Sequence, residues 1–278
     1  MMTKRWMMGT AAAALTIAGA FAAQAADLPT HKEAPAPMFV PPPFTWTGFY
    51  VGLNAGAVWG GNNNASTTLY ANGFPLLTNY WPTGGFGNSN TGFIGGGQAG
   101  YNWQTGAFVL GVETDFDGSS LSKSRSLVGP AFTDPIFGIN DYFSANGKAS
   151  LDWLGSTRAR VGFVATPDNR LMFYATGGVA YGGGSANLNV YDAVDGWAWY
   201  SGSHSTTRTG WTLGAGVEYA ITNNIILGAE YLYYDLGSRT LTTVPNAAAS
   251  SFFGTQVYSS TKVNFDGSVV RARLSYKF

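Results

Sequence analysis

The sequence predicts an all-β chain, an eight-stranded antiparallel up-and-down transmembrane β-barrel, on three observations. Eight segments alternate apolar and polar residues with period two, the signature of strands with unlike faces. The aromatic residues of the apolar face gather at segment ends, where a membrane has its interfaces. Short turns alternate with long connections along the chain. Composition points the same way. Of 278 residues only 11% are charged, 15% are aromatic and 38 are glycine, with a mean hydropathy of +0.01. A soluble domain carries roughly 25% charged residues. The balanced 15 basic and 15 acidic residues offer no electrostatic footprint for nucleic acid. Absence of cysteine excludes disulfides, thiol catalysis and cysteine-ligated metals.

The N-terminus reads as an export signal over residues 1–25. Lys4 and Arg5 precede an apolar run from Trp6 to Ala23, and Ala23-Gln24-Ala25 has the small–x–small form of a cleavage site before Ala26. The strongly apolar part, Ala11 to Ala23, is shorter than the ~20 residues of a membrane-spanning helix. Residues 26–45 form a Pro-rich periplasmic lead-in holding six of the twelve prolines, which lack the amide that a sheet ladder needs. The barrel is expected over 46–278.

The expected strands run about 46–59, 92–103, 107–116, 151–164, 171–182, 209–220, 225–234 and 269–278. Their apolar faces carry residues such as Phe49, Val51 and Leu53, Phe108 and Leu110, Leu151 and Trp153, and Val270, Ala272 and Leu274. Every strand charge falls on the other face: Glu113, Asp115, Asp152, Arg158, Arg160, Glu218, Glu230, Arg271, Arg273 and Lys277. A sandwich core would want its bulky groups in mid-strand. Here Trp59, Phe93, Phe116, Trp153, Tyr181, Trp211 and Tyr233 mark one end, and Phe49, Trp103, Phe108, Phe163, Phe173, Tyr219, Tyr276 and Phe278 the other. Asp235 breaks the alternation, so the seventh strand is expected to stop at Tyr234.

Short turns at 104–106, 166–170 and 221–224 should lie in the periplasm with both chain ends, and the long connections near 61–90, 118–148, 186–208 and 238–267 outside. Lipid forbids open sheet edges, so the strands must close on themselves. An eight-stranded barrel has a lumen just wide enough for its own side chains. Counting residues from the turn end sets Glu113 level with Arg160 and Glu230 level with Arg273, so a lumen network of paired charges is expected. The alternative is a narrow porin-like channel for small solutes, which polar inward faces would equally allow.

Several stretches resemble one family. They are Trp46-Thr47-Gly48-Phe49-Tyr50-Val51-Gly52, Asp152-Trp153-Leu154-Gly155-Ser156-Thr157-Arg158-Ala159-Arg160, Gly210-Trp211-Thr212-Leu213-Gly214-Ala215-Gly216-Val217-Glu218-Tyr219, Ala229-Glu230-Tyr231-Leu232-Tyr233-Tyr234 and the C-terminal Val270 to Phe278. They are similar to the alphaproteobacterial outer-membrane immunogenic (porin-like) proteins, of the OmpA-type small-barrel architecture. The resemblance implies a non-enzymatic structural component of the cell outer membrane with exposed loops. Its expected partners are outer-membrane lipid, lipopolysaccharide and the barrel-assembly machinery. No peptidoglycan-binding domain follows Phe278, so no tethering role is expected. The surface ligands of the loops are not legible.

No enzyme, cofactor or metal site is expected. His204 has Ser203, Ser205, Asp192 and Asp195 nearby in sequence, but a nucleophile and its base need rigid placement. Gly95-Gly96-Gly97 and Gly182-Gly183-Gly184 precede no helix, so they read as close packing rather than phosphate loops.

The resemblance also implies that Tyr276 and Phe278 form the signal read during assembly, although Arg273 stands where the family pattern has a small glycine. Deleting Phe278 should lower the amount of folded, heat-modifiable protein in outer-membrane fractions; undiminished folded protein would place the signal elsewhere.

Overall fold

The computed structural model describes residues 43–61, 66–71, 74–76, 91–129, 132–133, 140–141, 143–192, 198–245, 247, 250 and 257–278. The expected cleavage residues Ala23, Ala25 and Ala26 lie outside them. Eight long strands form a ring: β1 (Gly48–Gly60), β2 (Thr91–Thr105), β3 (Phe108–Val128), β4 (Phe143–Val164), β5 (Leu171–Asp192), β6 (Ala198–Ala220), β7 (Ile225–Pro245) and β8 (Val257–Lys277). Each pairs antiparallel with the next, and β8 closes on β1 from Tyr50↔Lys277 to Gly60↔Gly267. Closure satisfies the backbone groups that an open edge would expose to lipid. A hairpin of Ser66–Ala71 and Phe74–Leu76 adds to the far end of β8.

At one end the connections are tight. Gly106 and Ala107 alone separate β2 from β3, and Gly106 adopts φ +60°, a left-handed conformation suited to glycine in a two-residue hairpin. The 165–170 and 221–224 turns lie at the same end.

Over the half of the barrel next to these turns, Phe49, Leu53, Phe108, Leu110, Val161, Phe173, Leu213, Leu227 and Leu274 stand exposed on the outside. Aromatic pairs bound this apolar band: Phe116 on Trp153 and Trp211 on Tyr233 above (5.3 and 5.4 Å), Phe49 on Phe278 and Phe108 on Phe163 below (both 5.8 Å). Such girdles place amphipathic rings at the two interfaces of a membrane.

The seventh strand does not stop at Tyr234: β7 runs through Asp235, paired with Trp211 and Asp266, to Pro245. Four further expectations are corrected by the structure. First, the long connections near 118–148, 186–208 and 238–267 are mostly strand: β3 to β8 are 21 to 23 residues long and project well beyond the girdle. His204 therefore lies on β6, opposite Ala186, rather than in a loop. Second, β1 starts at Gly48, and the preceding Trp46 turns into the barrel, fully buried. Third and fourth, Asp152 and Leu151 exchange faces. Asp152 is exposed and Leu151 is 7% exposed, because the register of β4 slips against β3 between Trp153 and Leu151 and against β5 between Trp153 and Ala149. One irregular step reverses every side chain beyond it.

Past that step the code of the faces inverts. Outside, Ser124, Ser126, Asn146, Lys148, Asn187, Ser201, Ser203 and Ser205 replace the apolar band. Inside, Leu121, Leu151, Tyr234 and Leu236 extend a hydrophobic core that begins level with the girdle at Val58, Ile94, Leu154, Ala180, Leu232 and Val269. The transmembrane half is inside-out relative to a soluble protein, and the projecting half is not.

This inversion predicts that Leu151→Ala destabilises the barrel by about 2–5 kcal/mol, the usual range for a buried leucine. Asp152→Ala should stay within about 0.5 kcal/mol, as an exposed surface change does. Urea unfolding in detergent micelles, followed by tryptophan fluorescence, reads both.

Candidate functional site

The lumen of the membrane-spanning half is built from residues whose strand parity leaves them nowhere else to point. Glu113, Asp115 and Asp117 come from β3, Arg158 and Arg160 from β4, Glu218 from β6, Glu230 from β7, and Arg271 and Arg273 from β8, all nearly fully buried. Four guanidinium groups thus face five carboxylates. A buried charge is costly unless it is paired and hydrogen-bonded.

Each arginine meets that condition by bridging strands. Arg158 holds Glu113 Oε1 at 2.6 Å, Asp115 Oδ2 at 2.7 Å and, across the lumen, Glu230 Oε1 at 3.0 Å. Arg271 donates through Nε to Glu230 Oε2 (2.8 Å), through Nη1 to Asp117 Oδ2 (2.6 Å) and through Nη2 to Asp115 Oδ2 (2.8 Å). Arg160 pairs with Glu113 at 3.1 Å and Glu218 at 2.9 Å. Arg273 pairs with Glu230 at 2.9 Å and also with Glu113. Ser156 Oγ, 3.0 Å from both carboxylate oxygens of Asp115, donates to that group.

The counted heights set Glu113 against Arg160 and Glu230 against Arg273, and both pairs are in contact. The cross-strand neighbours in the ladder are different, Arg158 and Arg271, and these bind the same two carboxylates. Asp152 is not in the network, for the reason given above. Lys277 lies at the turn end, 5.5 Å from the Phe44 ring, away from the carboxylates of the network. Tyr276 and Phe278 face outward and touch each other edge-on, with ring centres 5.2 Å apart.

Sequence reasoning missed Asp117, Tyr50 and Tyr174. Asp117 lies one residue past the expected end of the third strand. Tyr50 Oη donates to Glu113 Oε2 and accepts from Arg160 Nη1, both at 2.6 Å. Tyr174 Oη donates to Glu230 Oε1 at 3.0 Å and accepts from Arg273 Nη1 at 2.7 Å. Each ring lies over a cross-strand glycine, Gly100 for Tyr50 and Gly216 for Tyr174, where a Cβ would collide with the phenol oxygen. Glycine there is what makes room for the ring.

These pairs expose a twofold repeat. Tyr50, Gly100, Glu113, Arg158 and Arg160 on β1 to β4 correspond to Tyr174, Gly216, Glu230, Arg271 and Arg273 on β5 to β8, four strands on. The signal was present in the sequence: Phe49-Tyr50 and Phe173-Tyr174, Leu110-Gly111-x-Glu113 and Leu227-Gly228-x-Glu230, and Arg-Ala-Arg twice.

Below the network a second layer fills the turn end. Trp46 inserts from the lead-in, packing with Phe44, Val109, Val164, Met172, Ala220 and Ile226. Its indole Nε1 donates to the Asn169 carbonyl and its backbone amide to Gln104 Oε1, both at 2.8 Å. Above the network lies the apolar core of the projecting half.

Residues 11–278 match the family model described as outer membrane protein beta-barrel domain. The 31 kDa outer-membrane immunogenic protein of Brucella melitensis is 39% identical over 267 residues, covering 95% of this chain and 97% of that protein. The 25 kDa outer-membrane immunogenic protein of Brucella canis is 32% identical over 81% of this chain and 84% of its own length. For the 22 kDa outer membrane protein of Rhizobium leguminosarum bv. viciae the figures are 32%, 75% and 71%. Among solved structures, the outer membrane protein OprG of Pseudomonas aeruginosa is 12% identical, with a TM-score of 0.47 over 84% of this chain and 98% of that one.

Glu230→Ala takes one buried ion pair from each of Arg158, Arg271 and Arg273 while leaving their contacts to Glu113, Asp115 and Asp117. It should cost about 3–5 kcal/mol, the range for breaking a buried pair. A lowered urea midpoint in micelles, and loss of the heat-modifiable band at milder temperatures, would register it.

Proposed function

Because the chain belongs to the outer membrane β-barrel protein family, we propose that it serves as a non-enzymatic structural component of the envelope, its barrel closed to solute flow. The observation that carries this reading is the filling of the lumen in three successive layers. The Trp46 layer, the arginine–carboxylate network and the apolar core of the projecting half follow one another along the axis. An eight-stranded barrel leaves little room beyond its own side chains, and here large ones occupy it.

On this reading the short turns and both ends of the barrel segment lie in the periplasm, and the projecting half stands outside the cell. The polar exterior of that half suits the sugar and phosphate layer of lipopolysaccharide, and the apolar band suits acyl chains. Tyr276 and Phe278, presented outward at the C-terminal edge, suit recognition by the assembly machinery. Against an enzymatic role stands the use of the lumen's carboxylates and arginines as one another's partners, which leaves none poised as a base or nucleophile.

Planar-bilayer recording tests the closure. The native barrel should show little or no steady conductance, and replacing Arg158, Arg160, Arg271 and Arg273 with alanine should raise it. A large, stable native conductance that the four alanines leave unchanged would overturn closure and favour a narrow channel.

A further inference from the structure

A nearly buried arginine in the projecting half makes no ion pair with a carboxylate among the described residues. Arg208 lies on β6, three residues beyond the girdle residue Trp211, and opposes Gly182 of β5. It is 8% exposed, and its Nε and Nη1 have no hydrogen-bond partner. Its guanidinium rests 3.2 Å from the centre of the Phe265 ring. A cation–π contact compensates part of the lost hydration, but it leaves the Nε and Nη1 N–H groups unanswered. Burial and the like charge of Arg239 together pull the Arg208 pKa down to about 10. The site is thus short of an anion.

Phe265 also lines an apolar recess with about 470 Å³ of unfilled space continuous with solvent. Leu121, Leu151, Tyr234 and Leu236 form its apolar walls, with Lys123 and Asp266 at its rim. Lys123 is already engaged, donating to the Gly61 carbonyl at 2.8 Å. Gly182, the neighbour of Arg208 across the ladder, packs toward Leu236 and Leu151 of the same recess. Beside Arg208 the β6–β7 register is interrupted, from Ser201 to Trp211 on β6, just above the aromatic girdle.

We propose that this recess binds a single-chain amphiphilic anion, with Arg208 holding a carboxylate or phosphate head and Leu121, Leu151, Leu236 and Phe265 covering the hydrocarbon chain. The charge requires an anion, and the walls require an apolar body. A small hydrophilic anion would leave the recess empty, and an uncharged lipid would leave Arg208 unanswered. The site lies above the charge network, so binding needs no opening of the lumen.

Calorimetric titration of the barrel in phosphatidylcholine nanodiscs tests this, with empty nanodiscs as the blank for partitioning. The probes are decanoate, decyl phosphate, decanol and acetate at pH 8, where the carboxylates are ionised. Saturable binding of decanoate or decyl phosphate is expected, and which of the two binds more tightly identifies the head. Arg208→Gln should weaken it at least tenfold, Arg208→Lys should restore most of it, and decanol and acetate should bind at least tenfold more weakly. Should Arg208→Gln fail to fold, Leu236→Phe, which fills the recess, serves instead and should weaken binding by a similar factor. No saturable binding, equal binding by Arg208→Gln or Leu236→Phe, or acetate matching decanoate would each overturn the proposal.

Discussion

Four guanidinium groups and five carboxylates confined within one eight-stranded ring must pair with one another, and the rest of the barrel is arranged around that requirement. They are nearly fully buried, and each guanidinium reaches carboxylates on several strands in place of solvent. Arginine suits the task because its planar fork donates in several directions at once. The bridges run from β4 to β3, β6 and β7, and from β8 to β3, β6 and β7, so the network cross-links the barrel through its own interior. Glycines at Gly100 and Gly216 and the tyrosines lying over them complete it, supplying space on one strand and a hydroxyl from the next.

The repeat of five residues across β1–β4 and β5–β8 explains how so many pairings close together. Each half presents one tyrosine, one glutamate and an Arg-Ala-Arg pair, and each half's arginines bind the other half's glutamate as well as their own. Neither half could neutralise its charges in the same way alone. The outcome is an interior in which every guanidinium of the network is paired with carboxylates of both halves. That suits a structural barrel better than a site that must exchange ligands or protons.

Two solvents act on the same strands, and the inversion of the faces records the boundary between them. Next to the turns the surroundings are lipid, so leucine, valine and phenylalanine point outward. Past the Trp153 and Trp211 girdle the surroundings are aqueous, so serine and asparagine point outward and leucine points in. On β5 and β6 the alternation continues unbroken and only the residue types change. On β4 a slip in register makes the change, moving Leu151 inward and Asp152 outward.

The sequence by itself determined the fold class, the eight membrane strands and the side of the sheet to which most charges belong. These follow from period-two alternation, which is local and can be counted along the chain. Its reading went wrong where a non-local fact intervened. Asp152 keeps the parity of an inward residue until the pairing of β4 with both neighbours shows the slip. The long, polar stretches after 118, 186 and 238 look like loops because only their pairing in the ring reveals them as strands. Tyr50 and Tyr174 read as ordinary strand tyrosines until closure brings them beside glutamates 63 and 56 residues away. The tertiary structure alone decided which arginine meets which carboxylate, because that depends on the stagger at which eight strands close. Stagger is a property of the ring, and no single strand contains it.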